Sequence, residues 1–170
     1  VPSNGLVAWY SLDGNALDAG PNELHGIQDG VQAEMDRYGN PAMALNFPGG
    51  SSIDLSDSQL FKIDTAGTFS AWMHFENSPA YLDSSNPIFG RNSNNHDYGF
   101  SVGPRGAAEY FETTLGLSGS SYLSFTIDID WTDWVHVVAT FSSSSSLFNY
   151  YVNGQLIQTE PFLVDGLIHP

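Results

Sequence analysis

Side-chain oxygens crowd one short stretch, "LDGNALDAGPNELHG" (Leu12–Gly26), and hard cations are the partners such oxygens suit. Asp13, Asn15, Asp18 and Asn22 supply carboxylates and amides, while Gly14, Gly20 and Gly26 free the backbone to turn its carbonyls inward. EF-hand spacing is not met. Counted from Asp13, the loop has Leu17, Asp18 and Leu24 where that template needs an oxygen ligand, a glycine and a glutamate. Asp, Asn and Gly are also the residues of tight turns. The stretch therefore reads either as a calcium-holding loop or as an Asx-rich connection between strands.

A second polar cluster, "GRNSNNHDYGF" (Gly90–Phe100), carries Arg91, Asn92, Asn94, Asn95, His96, Asp97 and Tyr98 between two strand-like runs. Amides and a carboxylate can bond vicinal hydroxyls, and Tyr98 can stack on the apolar face of a sugar ring. These seven residues are the candidate ligand-binding loop; a solvated hairpin tip is the plainer alternative.

Catalytic groupings are harder to assemble. Glycoside hydrolysis needs two facing carboxyl groups. Glu109 and Glu112 stand three apart in a strand-like run, which sends them to opposite faces. Asp128, Asp130 and Asp133 fall in "TIDIDWTDW", which reads as an acidic turn. His25, His74, His96, His136 and His169 are scattered, and "PGGSS" lacks the lysine and helix of a phosphate loop. The expectation is a protein without catalytic residues.

What would position these groups is a set of short strands. Runs such as "GLVAWYSL", "MALNF", "SIDL", "GTFSAWMHF", "PIFGR", "YGFSVG", "EYFETTLGL", "YLSFTI", "WVHVVATF", "LFNYYVNG" and "QLIQT" are bounded by Gly, Asn, Ser and Pro. One short helix candidate, Asn40–Phe47, ends at Pro48. Alternation places Phe69, Ala71, Met73 and Phe75 on one side of their strand, against Thr68, Ser70, Trp72 and His74. It likewise places Val135, Val137, Ala139 and Phe141 together, and the apolar Val138 opposite them marks that strand as central. "SSSSS" (Ser142–Ser146) reads as a hairpin loop, and Asn153–Gly154 as a two-residue hairpin turn with both φ angles positive. Trp9, Phe47, Phe69, Trp72 and Phe75 are expected in the core or beside it. Trp131 and Trp134 suit either an exposed sugar platform or a buried strand start.

Composition narrows the class. The 170 residues are 41% hydrophobic and 14% aromatic, enough for one folded domain spanning 1–170. Four basic residues against nineteen acidic ones give a formal charge of -15, which repels nucleic acid and anionic lipid and attracts cations. No cysteine is present, so disulfides and thiolate metal sites are excluded. No apolar run is long enough for a transmembrane helix. The start "VPSNG" reads as the beginning of a mature protein or of an excised domain, any signal peptide being already gone.

Two blocks in order, "GLVAWYSLDGNALDAGPNELHG" with "DRYGNPAMALNFPGGSSIDL", then "FSAWMHF" with "WVHVVATF" and "YYVNGQLI", resemble the laminin-G-like domains of the concanavalin A-like lectin/glucanase superfamily. The resemblance implies an all-β antiparallel jelly-roll sandwich of two stacked sheets in a secreted or cell-surface bacterial protein, extracellular or in the cell envelope. It implies a non-catalytic adhesion or binding module for a glycan or a cell-surface protein. A glycan hydrolase or lyase of the same superfold and a ligand-free spacer are the alternatives. It also implies calcium near the loop after the first strand, with Asp13, Asn15, Asp18 and Asn22 as ligands; His25 would pack or offer its carbonyl, imidazole being a poor calcium ligand. Relatives continue past the "YVNG" hairpin to a strand that lies beside the first. That strand has no counterpart in "PFLVDGLIHP", so the resemblance further implies a second chain or fragment supplying closing strands.

Overall fold

The computed structural model describes residues 4–55, 58–61, 65–76, 86–91, 98–105, 108–115, 121–126, 130 and 132–161. The chain forms two compact units, Val1–Lys62 and Ile63–Pro170. Among the described residues all sheets are antiparallel, and the one helical element is a single 3-10 turn at Gln59–Phe61.

In the first unit, β1 (Gly26–Asp29) pairs with β4 (Ser52–Leu55), and β2 (Gln32–Glu34) pairs with β3 (Ala44–Asn46). Gly26 is required by packing: a Cβ there would run into the Ile53 side chain and stand 3.1 Å from Leu55 Cδ2 and 3.2 Å from Ala16 Cβ. The β2–β3 connection closes on Asp36. Its Oδ1 accepts from the Tyr38 and Asn40 amides, both at 2.8 Å, and its Oδ2 from the Asn40 side chain at 3.0 Å. Those bonds, the side-chain one foremost, hold the Asp36 carboxyl below its ordinary value. Such Asx geometry stands where the sequence offered a helix over Asn40–Phe47, and only Ala44–Asn46 of that stretch is regular structure, as strand. The expected first strand "GLVAWYSL" is also absent as a strand; its one ladder contact is an isolated bridge from Tyr10 to Asp18.

The second unit holds two four-stranded sheets. One has the order β12 (Gln155–Pro161), β11 (Leu147–Val152), β10 (Val135–Ser142), β5 (Ala66–Met73). The other is a meander of β6 (Asn86–Arg91), β7 (Tyr98–Arg105), β8 (Ala108–Leu115) and β9 (Ser121–Thr126). Strict alternation in β10 and β11 buries Val135, Val137, Ala139, Phe141, Phe148, Tyr150 and Val152 in one cluster with Met73. Ile88 of the meander packs against that cluster, and Phe89 meets Phe69 with ring centroids 4.8 Å apart. The two sheets are thereby stacked, as the sandwich requires. β10 is central, flanked by β5 and β11. The hairpin after β11 turns on Asn153 (φ 48°) and Gly154 (φ 80°), both in the left-handed region that this turn demands. Phe75 borders the core and Phe69 is half-buried against Phe89, whereas Trp9, Phe47 and Trp72 stand exposed, because each falls on a loop or on the polar side of its strand.

Candidate functional site

The oxygen-rich loop is organised around one carboxylate. Asp18, 6% exposed, accepts from the Trp9 amide at 2.8 Å and the Gly20 amide at 2.7 Å on Oδ1, and from the Leu24 amide at 2.9 Å on Oδ2. Its own amide donates to His25 Nδ1 at 3.1 Å, so the ring takes part through a side-chain atom rather than its carbonyl. Burial pushes the Asp18 carboxyl up, but the amides of Trp9, Leu24 and Gly20, with a smaller pull from His25, outweigh it and hold the group below its ordinary 3.8. Backbone bonds from Ala19 to Trp9 and from Gly26 to Ala16 complete the frame. Leu12 and Glu23 sit at φ 57° and 51° within it, a conformation non-glycine residues adopt at a cost that these bonds offset.

The other candidate metal ligands are taken up by hydrogen bonds to nearby side chains and backbone. Asp13 Oδ1 accepts from Ser11 Oγ and from Asn15 Nδ2, both at 2.9 Å. Asn15 Oδ1 accepts from the Leu17 amide at 2.9 Å, and Asn22 Nδ2 donates to the Val7 carbonyl at 2.7 Å. A calcium site needs oxygens converging with their lone pairs unfilled. Here Asp18 is ringed by N–H donors, which present positive ends to the space a cation would occupy. The four residues as arranged do not fit a calcium ion, and no group of three or more acidic, histidine or cysteine side chains with metal-binding geometry occurs among the described residues.

Beside Asp18, the Tyr10 hydroxyl donates to the Leu24 carbonyl. Burial, and then the Asp18 charge, pushes its phenol up to about 12 from 10.0. The neutral form is favoured by folding, so this contribution to stability is complete below pH 10 and is lost as pH rises toward 12. An absorbance titration at alkaline pH is expected to show one of the eight tyrosines ionising near 12, and that component missing from Tyr10→Phe.

A different surface gathers aromatic and hydrogen-bonding groups. On the face of the β12–β11–β10–β5 sheet turned away from the core, Trp72 lies opposite His136, their rings stacked at 4.9 Å and 20°. Ser70 Oγ bonds His136 Nε2 at 2.8 Å, and the Asn153 side chain accepts from the His136 amide at 3.0 Å. His74 and Trp134 form a second ring pair, 5.7 Å apart. The motif is visible in the sequence as "WMH" (Trp72–His74) and "WVH" (Trp134–His136). Run antiparallel, they set each tryptophan beside the other strand's histidine. Trp72 is 43% exposed. Thr68, Val138, Thr140, Leu147, Asn149, Tyr151, Leu156, Thr159 and Pro161 continue this face, and Thr159 Oγ1 bonds Asn149 Oδ1 at 2.8 Å. No Asp, Glu, Lys or Arg of the four strands lies on it.

The candidate ligand loop falls between β6 and β7, where Arg91 and Tyr98 are the last register pair. Asn92, Asn94, Asn95, His96 and Asp97 lie outside the described residues. So do Asp128 and Trp131, while Asp130 caps the turn before β10 through Thr132 N at 3.0 Å and Oγ1 at 2.6 Å.

No curated protein and no solved structure gives a significant match to the chain. A family model, Laminin_G_3, described as Concanavalin A-like lectin/glucanases superfamily, matches residues 47–168. The match begins beyond the oxygen-rich loop, so "GLVAWYSLDGNALDAGPNELHG" lies outside it, while the β5–β12 strands lie within it. Covering well over half of the chain, and agreeing with its all-β antiparallel sheets, the match shows that the chain belongs to the Laminin_G_3 family of the concanavalin A-like lectin/glucanases superfamily.

Proposed function

We propose that the protein is a non-catalytic module that binds a neutral glycan on the outward face of the β12–β11–β10–β5 sheet. One observation carries the reading: on a chain of formal charge -15, the four strands put no Asp, Glu, Lys or Arg on this face, and it sets the half-exposed Trp72, stacked on His136, beside Ser70, with Thr68, Thr140 and Asn149 two rows further along the strands. An indole face accepts the apolar face of a pyranose, and hydroxyls and amides meet its equatorial groups. Two-carboxylate hydrolysis has no acid to draw on there, so binding without turnover is the chemistry this surface supports. Family membership favours a ligand-binding role at the level of the superfamily.

Affinity electrophoresis through gels containing soluble neutral polysaccharides tests this. The protein is expected to be retarded by at least one of them, and Trp72→Ala to weaken that binding by about tenfold or more, the loss of one well-placed aromatic contact. Retardation by none, or equal retardation of Trp72→Ala, would sink the proposal. The Asp18 loop belongs to the same reading as a clasp that closes without a cation. Calcium and chelator are expected to leave the melting temperature unchanged; a calcium-dependent rise abolished by Asp13→Ala would reverse that part.

A further inference from the structure

Strand register sets the length of the ligand. Trp72 stands opposite His136, and the next row of the same face runs Ser70, Val138, Tyr151, Leu156. Tyr151 is therefore two strands across and one row along from Trp72. With strands about 4.8 Å apart and same-face residues about 6.7 Å apart along a strand, the two Cα atoms are roughly 12 Å apart. One pyranose cannot touch both rings; a short chain of pyranoses can. Val138 lies between the two, with Ser70 and His136 alongside, and offers a low apolar floor rather than an obstruction.

The row beyond is polar from edge to edge: Thr68, Thr140, Asn149, Thr159. It runs parallel to the Val138 row at the same spacing, so hydroxyl and amide groups line one side of the diagonal between the aromatics. A hydrophobic peptide would leave that row without partners, whereas a saccharide chain presents apolar ring faces and polar edges together. The chain's net negative charge and the missing cations of this face disfavour a sulfated or uronate glycan.

Resting on the proposed glycan-binding role, we infer that the face takes an extended, uncharged oligosaccharide laid diagonally across β5, β10 and β11, one ring stacked on Trp72 and another on Tyr151. Calorimetry on the full 170-residue chain with neutral gluco-, manno- and xylo-oligosaccharides, from disaccharide to hexasaccharide, tests it. In the series that binds, affinity is expected to rise by about tenfold or more from disaccharide to tetrasaccharide and then level off, as the second stacking contact is gained. Tyr151→Ala is expected to remove that gain, so that tetrasaccharide binds it no more tightly than disaccharide. Tyr151→Phe keeps the ring and is expected to keep the gain, which separates stacking from a folding defect. Length-independent affinity, or long chains bound equally by Tyr151→Ala, would overturn the inference while leaving the glycan-binding role standing. Binding of no member of any series would count against the role itself.

Discussion

Asp18→Ala is expected to destabilise the first unit by about 3 kcal/mol, because it strands three buried or half-buried N–H donors for one side chain removed. The Trp9, Gly20 and Leu24 amides have no other acceptor in the loop positioned to replace a carboxylate that meets all three. Amide hydrogen exchange reads the effect residue by residue. Protection at Trp9, Gly20 and Leu24 should collapse, while β10 amides such as Val137 keep theirs. Asp18→Asn is expected to cost less in bulk but to fail at one oxygen, where its NH2 group would face an N–H donor. Unchanged protection in the alanine variant would show that the loop is held by its backbone bonds and not by the carboxylate.

The same carboxylate gives the loop an acid limit. Its pKa in the folded chain is below the ordinary 3.8, so it contributes stability above that pH, and the contribution fades as pH falls through the lower folded value. Asp36 and Asp130 shift in the same direction but are solvent-exposed, so screening leaves them little weight. In an acid titration followed by exchange at Leu24, the wild-type loop should loosen below about pH 4, and Asp18→Asn should already be loose at neutral pH.

The sheet carrying the proposed site was legible from residue types because its alternation is nearly perfect. Val135, Val137, Ala139 and Phe141 share a buried side, and Asn153–Gly154 turns as that dipeptide must. β1 and β2 were not legible: they are four and three residues long and almost wholly exposed, so burial imposes no pattern on them. The loop at Leu12–Gly26 was ambiguous for a chemical reason. The oxygens that would cage a cation also accept the amides of their own turn, and only the path of the backbone decides which they meet. Residue type places Trp72 in the core or beside it, although its own alternation groups it with Ser70 and His74. Size argued inward, periodicity argued outward, and periodicity prevailed because Ala71 and Met73 already occupy the core side of β5.

That division of one sheet into two faces leads to the second large effect. Phe148, 1% exposed, packs its ring 5.6 Å from Phe141 and 6.0 Å from Tyr150 on the core side of β11. Phe148→Ala is expected to cost about 3–5 kcal/mol through lost burial and the cavity left behind. Against a typical net stability of about 5–15 kcal/mol, that should lower the melting temperature by roughly 10 °C or more. Phe148→Leu should cost about 1–2 kcal/mol and stay folded at room temperature. Tyr151, three positions along the same strand, points the other way and leaves the core untouched. Phe148→Leu is therefore expected to melt earlier yet bind glycan with unchanged affinity, and Tyr151→Ala to do the reverse. If Phe148→Leu lost affinity in proportion to its stability, the outward face would depend on the packing beneath it, and ligand contact could not be assigned to side chains on that face alone.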